Sequence, residues 1–365
     1  MRIAIISVTT KGEALARTLA ENLEGKIDLY AKSRGGMDAD TVPFDNLGVL
    51  VDNIFHEYDG LVFVMAAGIV VRVIAPHVRD KRYDPAVVVM DDAGIHAISL
   101  LSGHLGGANE LTETVAAAVG ARPVITTATD VANLPAPDIL AVKLDLGIEP
   151  FEDLKAVNAA MVAGQRVSFF IDHQIAHAAR YIEGAAEMGV ELLDMNELKN
   201  SDRYDVAVTI TDKDLFMTQL HIYLRPTTLS VGIGCRKGTT SGEIWAAIDD
   251  ACRRIGRSSK SIAIVGSTVV KQEEIGLLAA VQQLEIPVKF YTNEQLQEVI
   301  HVQRLEESEF VKNEIGVGNV CEASALLGAR SCNLLLPKTV YPKLTLAIAE
   351  VKSRWWESDP DIQLD

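Results

Sequence analysis

Disulfide and structural-zinc chemistry find little support in this sequence. Its four cysteines, at 235, 252, 321 and 332, form no C-x-x-C pair and no zinc-type spacing. Such sparing use of cysteine fits a reducing, cytoplasmic setting. Long apolar runs are also missing. The longest, over residues 60–67, is far too short to span a bilayer, and the opening residues 1–7 enter a strand pattern without signal-peptide architecture. No membrane partner is therefore expected. Positive charge is scarce: 34 Lys and Arg stand against 50 Asp and Glu, a formal net charge of −16. That balance excludes a general nucleic-acid binder, which needs a basic face to displace counterions. It leaves room for local cation clusters around an anionic small molecule. Nucleotide motifs are missing too. The first strand–loop–helix lacks G-x-G-x-x-G, and Lys237-Gly238-Thr239 inverts the Gly-Lys-Thr order of a P-loop.

What is present is a regular alternation of strand and helix patterns over 365 residues, more than one typical core. It predicts an α/β protein of three consecutive units with mainly parallel sheets, over 1–135, 138–224 and 228–350. The prolines near 133–137 and at Pro226 mark the joints. In the first unit strands are expected over 3–8, 61–66, 86–90, 95–101 and 124–127, with a hairpin turn at 91–94. The second should hold a helix over 153–163 and strands over 166–171 and 205–210. The third should hold strands over 229–234, 261–265 and 288–291 and a terminal hairpin, 334–340 with 344–350. The last residues, with Trp355, Trp356 and an acidic tail, are expected to leave the core.

One stretch, 100–112, carries the densest chemistry. Between a strand and a helix starting at Ala108 lie Gly103, Gly106 and Gly107, with His104 among them and Asn109 and Glu110 one turn later. Glycines permit close backbone approach, and a helix start welcomes negative charge. A ligand site and a tight loop with a capping histidine are both compatible with that pattern. Ala67-Gly68 at a strand exit followed by a helix bearing Arg72 suggests a further site at the C-terminal edge of a sheet, and the cluster Arg79, Lys81 and Arg82, between two buried-type segments, is the most basic point in the first half. A solvated loop is the bland alternative for the cluster. In the third unit Arg236, Lys237 and Thr239 sit in a glycine turn before a helix, a plausible anion site. A second glycine turn, at 316–318, opens a helix with Glu322. His173 and His177 have the spacing of a helical metal pair but lack a third ligand nearby, so surface histidines are expected and no metal site.

The runs over 65–72, 80–85 and 102–110, with 232–239 and 316–325 in the last third, resemble the signature runs of the cobalt-precorrin-5A hydrolases (CbiG) of anaerobic cobalamin biosynthesis. The C-terminal part of that family also exists as a separate protein in the aerobic pathway. Cys321 stands where a smaller Ala or Ser is expected. The resemblance implies opening of the δ-lactone of a cobalt-containing contracted macrocycle, with loss of the two-carbon fragment as acetaldehyde. It implies no protein cofactor, since the cobalt belongs to the substrate. A tetrapyrrole bearing many carboxylate arms would need the cations Arg72, Arg79, Lys81, Arg82, Arg236 and Lys237. His104 would then be the general base, Glu110 its orienting partner or alternate, and the Gly106 and Gly107 N–H groups the oxyanion donors. Gly103, Asn109, Thr239 and Glu322 would line the substrate, which both the first and third units would touch. A non-catalytic corrinoid-binding or channelling protein is the alternative. Transient contact with neighbouring pathway enzymes fits either case, and the oligomeric state stays open.

Overall fold

A computed structural model describes residues 1–33, 40–131 and 134–351. Trp355, Trp356 and the acidic tail lie outside the described residues. The chain forms two compact bodies, Met1–Val142 and Lys143–Asp365.

In the first body two strands, Gly60–Val64 and Ala86–Met90, are buried at every residue, as strands covered on both faces must be. They centre a seven-stranded sheet of β1 (Arg2–Ser7), β2 (Lys26–Lys32), β3 (Thr41–Phe44), β4 (Gly60–Val64), β5 (Ala86–Met90), β6 (His96–Leu101) and β7 (Arg122–Val124), in the order β3-β2-β1-β4-β5-β6-β7. Alternation sorts β1 between two cores. Ile3 and Ile5 pack with α1 (Thr10–Asn22) and α4 (Ala108–Val119), whereas Ala4 and Ile6 pack with α2 (Leu47–Ile54) and α3 (Ala67–Ile74). After β7 come α5 (Ala128–Val131) and α6 (Pro137–Leu144).

All neighbouring strands run parallel except β5 and β6. The reversal is the hairpin expected at 91–94: the Asp91 carboxylate accepts the Ala93, Ile95 and His96 N–H groups, and Gly94 takes φ +70°. It decides where the loops open. Leu101 pairs with Val87, so the loop leaving β6 emerges beside the start of β5. The loops leaving β1 and β4 emerge at the opposite edge. The glycine turn at 103–107 and the Ala67-Gly68 turn therefore do not share an edge, contrary to the sequence expectation. The strand expected over 124–127 is earlier, Arg122–Val124. As a sheet-edge strand it tolerates Pro123, and Thr127 has already turned away to bond Asn109.

The second body holds two five-stranded sheets, where the sequence places a joint between separate units. The first comprises β8 (Gly147–Glu149), β9 (Val167–Ile171), β10 (Leu192–Asp194), β11 (Val206–Ile210) and β12 (Leu220–Arg225), ordered β10-β9-β11-β12-β8 and parallel except at β8. Helices α7 (Leu154–Val162) and α8 (Ala178–Glu187) belong to this part. The second comprises β13 (Leu229–Cys235), β14 (Ile262–Thr268), β15 (Val288–Tyr291), β16 (Leu334–Val340) and β17 (Leu344–Glu350), ordered β15-β14-β13-β17-β16. Its first three strands are parallel and the expected terminal hairpin adds on antiparallel to β13, within an α/β fold whose sheets are mostly parallel.

Helices α9 (Ser241–Arg254) and α10 (Ile275–Leu284) cover one face of the last sheet. After them follow α11 (Asn293–Gln303), α12 (Glu309–Ile315) and α13 (Cys321–Ala329). The last of these lies flush on β13 and β14, because a Cβ on Gly232 would meet the Cys321 carbonyl oxygen at 1.8 Å and one on Gly266 the Ser324 carbonyl oxygen at 2.7 Å. Cys321 is 1% exposed and fills its slot as a small apolar residue would. Polar bonds join the two sheets. Ser258 Oγ, shortly before β14, donates to Glu149 Oε2 of β8, the oxygen that fully buried Arg225 of β12 also reaches (2.7 Å) while it donates to the Thr211 and Lys213 carbonyls. Arg257 pairs with Asp212, which also accepts from Thr228 Oγ1. His173 lies near Asp194 and His177 precedes α8 at φ +63°; no metal-sized group of ligands gathers around them among the described residues.

Candidate functional site

The loop leaving β6 is wound tightly. Ser102 takes φ +58° and Gly107 φ +81°, and a Cβ on Gly106 would lie 2.4 Å from that of Ser102. This winding sends His104 toward the residues that follow β7. Its Nε2 lies 2.6 Å from Asp130 Oδ2 and its Nδ1 lies 3.1 Å from Asp138 Oδ2. From the first turn of α4, Asn109 Nδ2 donates to the same Asp130 oxygen (2.9 Å) and to Thr127 Oγ1, while its Oδ1 accepts from Ser99 Oγ (2.6 Å). The side chains of Asp138 and His104 are 5% and 6% exposed, that of Asp130 29%. A single hydrogen-bonded line, Asp138–His104–Asp130, thus runs from the interior to solvent.

Two carboxylates flanking one imidazole select its charged form, since a neutral ring has only one N–H to donate. Burial works against the charge on His104, but Asp138 and Asp130 outweigh it and raise the ring's pKa above the ordinary histidine value. Burial likewise pushes the Asp138 carboxyl up, yet the His104 bond and charge, with a smaller contribution from Lys81, bring it below the usual carboxylate value. An imidazolium cannot accept a proton. The other oxygen of Asp130, Oδ1, makes no hydrogen bond among the described residues.

Several expected roles change in this geometry. Glu110 lies on the exposed surface of α4 and does not orient His104, because Asp130 and Asp138 occupy both ring nitrogens. The Gly107 N–H donates to the His104 carbonyl (3.0 Å) and is not left for an oxyanion, whereas that of Gly106 has no partner among the described residues. Gly103 packs closely on the Asn109 amide, and Asn109 itself is 9% exposed, so both shape the Asp130 support rather than face a ligand. The loop with Arg79, Lys81 and Arg82 precedes β5 and opens at the edge where His104 lies. Arg82 is chelated by Asp80 (2.8 and 3.0 Å), and the Arg79 guanidinium has no partner among the described residues. Arg72 is not with them. Its guanidinium reaches back 2.7 Å to the Gly68 carbonyl, toward the edge where α3 begins.

The glycine turn after β13 is not an open anion nest. Thr240 and Glu243 form a capping box at the start of α9, and the Gly238 N–H donates to the Glu274 carboxylate (2.8 Å). The protein's own carboxylates thus fill the backbone donors. Thr239 is 1% exposed and ties its hydroxyl to the Arg236 carbonyl. Glu322 is also turned inward, accepting from the Lys338 N–H (2.9 Å) and from Asn319. What remains open are the Arg236 and Lys237 side chains, which edge a cleft of about 470 Å³ at the ends of β13 and β14.

Comparison with known proteins accounts for nearly the whole chain. Three family models match in succession: Cobalamin synthesis G N-terminal over residues 49–130, the Cobalamin biosynthesis central region over 135–226 and Cobalamin synthesis G C-terminus over 229–349. A cobalt-precorrin-5A hydrolase of Salmonella typhimurium is 35% identical over 89% of this chain and 91% of its own. One of Priestia megaterium is 30% identical over 95% of this chain and 94% of its own. The chain belongs to the CbiG family. A shorter protein, CobE of Sinorhizobium, is 32% identical over 33% of this CbiG chain and 79% of its own.

The two acids of the line escape a reading of the sequence. Asp130 follows β7 in the polar run Thr126-Thr127-Ala128-Thr129-Asp130, and Asp138 lies just past the prolines taken as a joint. The usable signal is topological. In this CbiG chain β6 and β7 are parallel and linked by α4, so their exit loops must open side by side.

Proposed function

We propose that this CbiG protein opens the δ-lactone of cobalt-precorrin-5A and releases acetaldehyde, leaving cobalt-precorrin-5B, with Asp130 as the base. The observation that supports this assignment is the Asp138–His104–Asp130 line, of which Asp130 is the most exposed member. At rest two carboxylates and one imidazolium carry a net charge of −1. A proton entering at Asp130 Oδ1 removes that excess rather than creating a charge in a partly buried place. Water held at this oxygen loses its proton to Asp130 as its oxygen bonds to the lactone carbonyl carbon. The Gly106 N–H, in the same loop, is the donor left for the oxyanion. The ring C–O bond then breaks and its oxygen recovers the proton.

Release of acetaldehyde needs the new hydroxyl deprotonated while the adjoining C–C bond breaks. The electron pair passes into the substrate's own conjugated cobalt macrocycle, so the chemistry calls for no cofactor from the protein. Asn109 and His104 act by holding Asp130 in place. The substrate class and the absence, among the described residues, of any helix long and apolar enough to cross a membrane suit work in the cytoplasm, between neighbouring enzymes of the pathway.

Incubating the full chain with cobalt-precorrin-5A and assaying acetaldehyde tests the reaction. One acetaldehyde per macrocycle is expected. None from folded wild-type protein would overturn the proposal.

A further inference from the structure

The cleft beside β13 and β14 has a composition unlike the rest of the molecule. Five cations and one carboxylate, Glu314, line it, in a chain where acids outnumber bases by 50 to 34. Two of the cations are answered locally: Lys271 by Glu274 (3.3 Å) and Lys343 by Glu243 (3.0 Å). Arg236, Lys237 and Lys338 have no ion-pair partner among the described residues. Facing the same space are two large apolar side chains left open to solvent, Phe310 (74% exposed) and Val340 (72%). Uncompensated cations beside uncovered apolar surface match a ligand with a flat apolar body and carboxylates on its rim. The volume, about 470 Å³, lies within the usual range of small-molecule pockets, roughly 300–1,000 Å³. The position fits as well, outside the carboxyl ends of β13 and β14, where open α/β sheets bind ligands.

We infer that this cleft binds the polycarboxylated tetrapyrrole, with the macrocycle against Phe310 and Val340 and its carboxylate arms on Arg236, Lys237 and Lys338. The choice of ligand rests on the function proposed above. Glu322 gains a role from it: by accepting the Lys338 N–H it fixes the strand that presents the lysine. Lys338 then differs from a surface lysine in being held where an arm can reach it.

Titrating the full chain with uroporphyrin III, an octacarboxylate, and following porphyrin fluorescence tests the site without any turnover. Wild-type protein should bind with an affinity that falls as salt rises. The Arg236→Ala/Lys338→Ala double variant should weaken binding on the order of tenfold and flatten that salt dependence. Phe310→Ala should weaken binding at every salt concentration without changing its slope. Lys155→Ala, an exposed lysine of α7, should bind as wild type does. Since all the substituted side chains but Lys338 are exposed, melting temperatures recorded alongside should stay unchanged, and Lys338→Met keeps the test open if the double variant melts early. No uroporphyrin binding by wild type overturns the inference, as does equal affinity in the stable cleft variants or equal loss in Lys155→Ala. Binding without acetaldehyde release would instead count against the proposed reaction while leaving the cleft as a porphyrin site.

Discussion

An imidazole clasped by two carboxylates makes its surroundings sensitive to pH in both directions, and the signs can be worked out group by group. His104 has its pKa raised in the folded protein, so the charged ring favours the fold. That contribution is complete below the unfolded value, about 6.5, and is lost as pH rises through the folded one. Asp138 has its pKa lowered, so its contribution is present above the unfolded value, about 3.9, and is lost as pH falls through the folded one. Thermal stability should therefore decline on both flanks. In His104→Gln the alkaline decline should disappear, and the acid decline should shrink, because Asp138 without its partner no longer has its pKa held below the unfolded value. Melting curves of the two proteins across that span would reveal it, and superimposable profiles would show that the ring is not charged in the fold. Asn109 offers a second check at this scale. Asn109→Leu removes the bond that holds Asp130 and should lower kcat while leaving KM nearly unchanged, whereas a packing defect alone would lower the melting temperature with kcat intact.

The packing of α13 on β13 and β14 depends on two glycines, and each predicts a severe mutation. Gly232→Ala would place a methyl group 1.8 Å from a backbone oxygen that cannot rotate away. A loss of about 3 kcal/mol or more is expected from such overpacking, readable as an early midpoint in urea, and wild-type stability would refute the close approach. These strands and helices were among the legible ones. β4 and β5 are continuous apolar runs, β13 and β14 are largely apolar, and α4, bracketed by Gly107 and Gly120 in left-handed conformations, starts where expected. Less legible were β2 and β12. The first mixes partly covered residues without alternation, and the second ends in an arginine whose burial is explained by Glu149 and by the Thr211 and Lys213 carbonyls, all distant in sequence. The hairpin at 91–94 was legible, but its effect on loop placement was not, because that follows from the direction of every neighbouring strand. For the same reason His104 could be singled out locally while Asp130 and Asp138, 26 and 34 residues away, could not.

Across the whole chain, charge is arranged in a few buried or sheltered groups against an acidic surface. Within Lys143–Asp365, Arg225 ties β12 to its neighbour β8 and to the segment after β11, with its side chain 2% exposed, opposite Glu149 at 32%. Arg225→Met leaves two carbonyls unanswered and that carboxylate with only the Ser258 hydroxyl, and should cost about 2–4 kcal/mol, somewhat below a fully buried pair. Equilibrium unfolding in urea would report it, and an unchanged midpoint would show that the link carries little stability. The relay in the first body makes the more consequential claim, that Asp130 rather than His104 or Glu110 takes the proton. Single-turnover acetaldehyde release from cobalt-precorrin-5A by wild type, Asp130→Asn and Glu110→Gln, each checked for folding, measures it directly. Asp130→Asn should bind the substrate normally and slow release by roughly 10²–10⁴-fold, the usual loss for a general base, with Glu110→Gln near wild type. Wild-type release from folded Asp130→Asn, or a loss confined to Glu110→Gln, would contradict it.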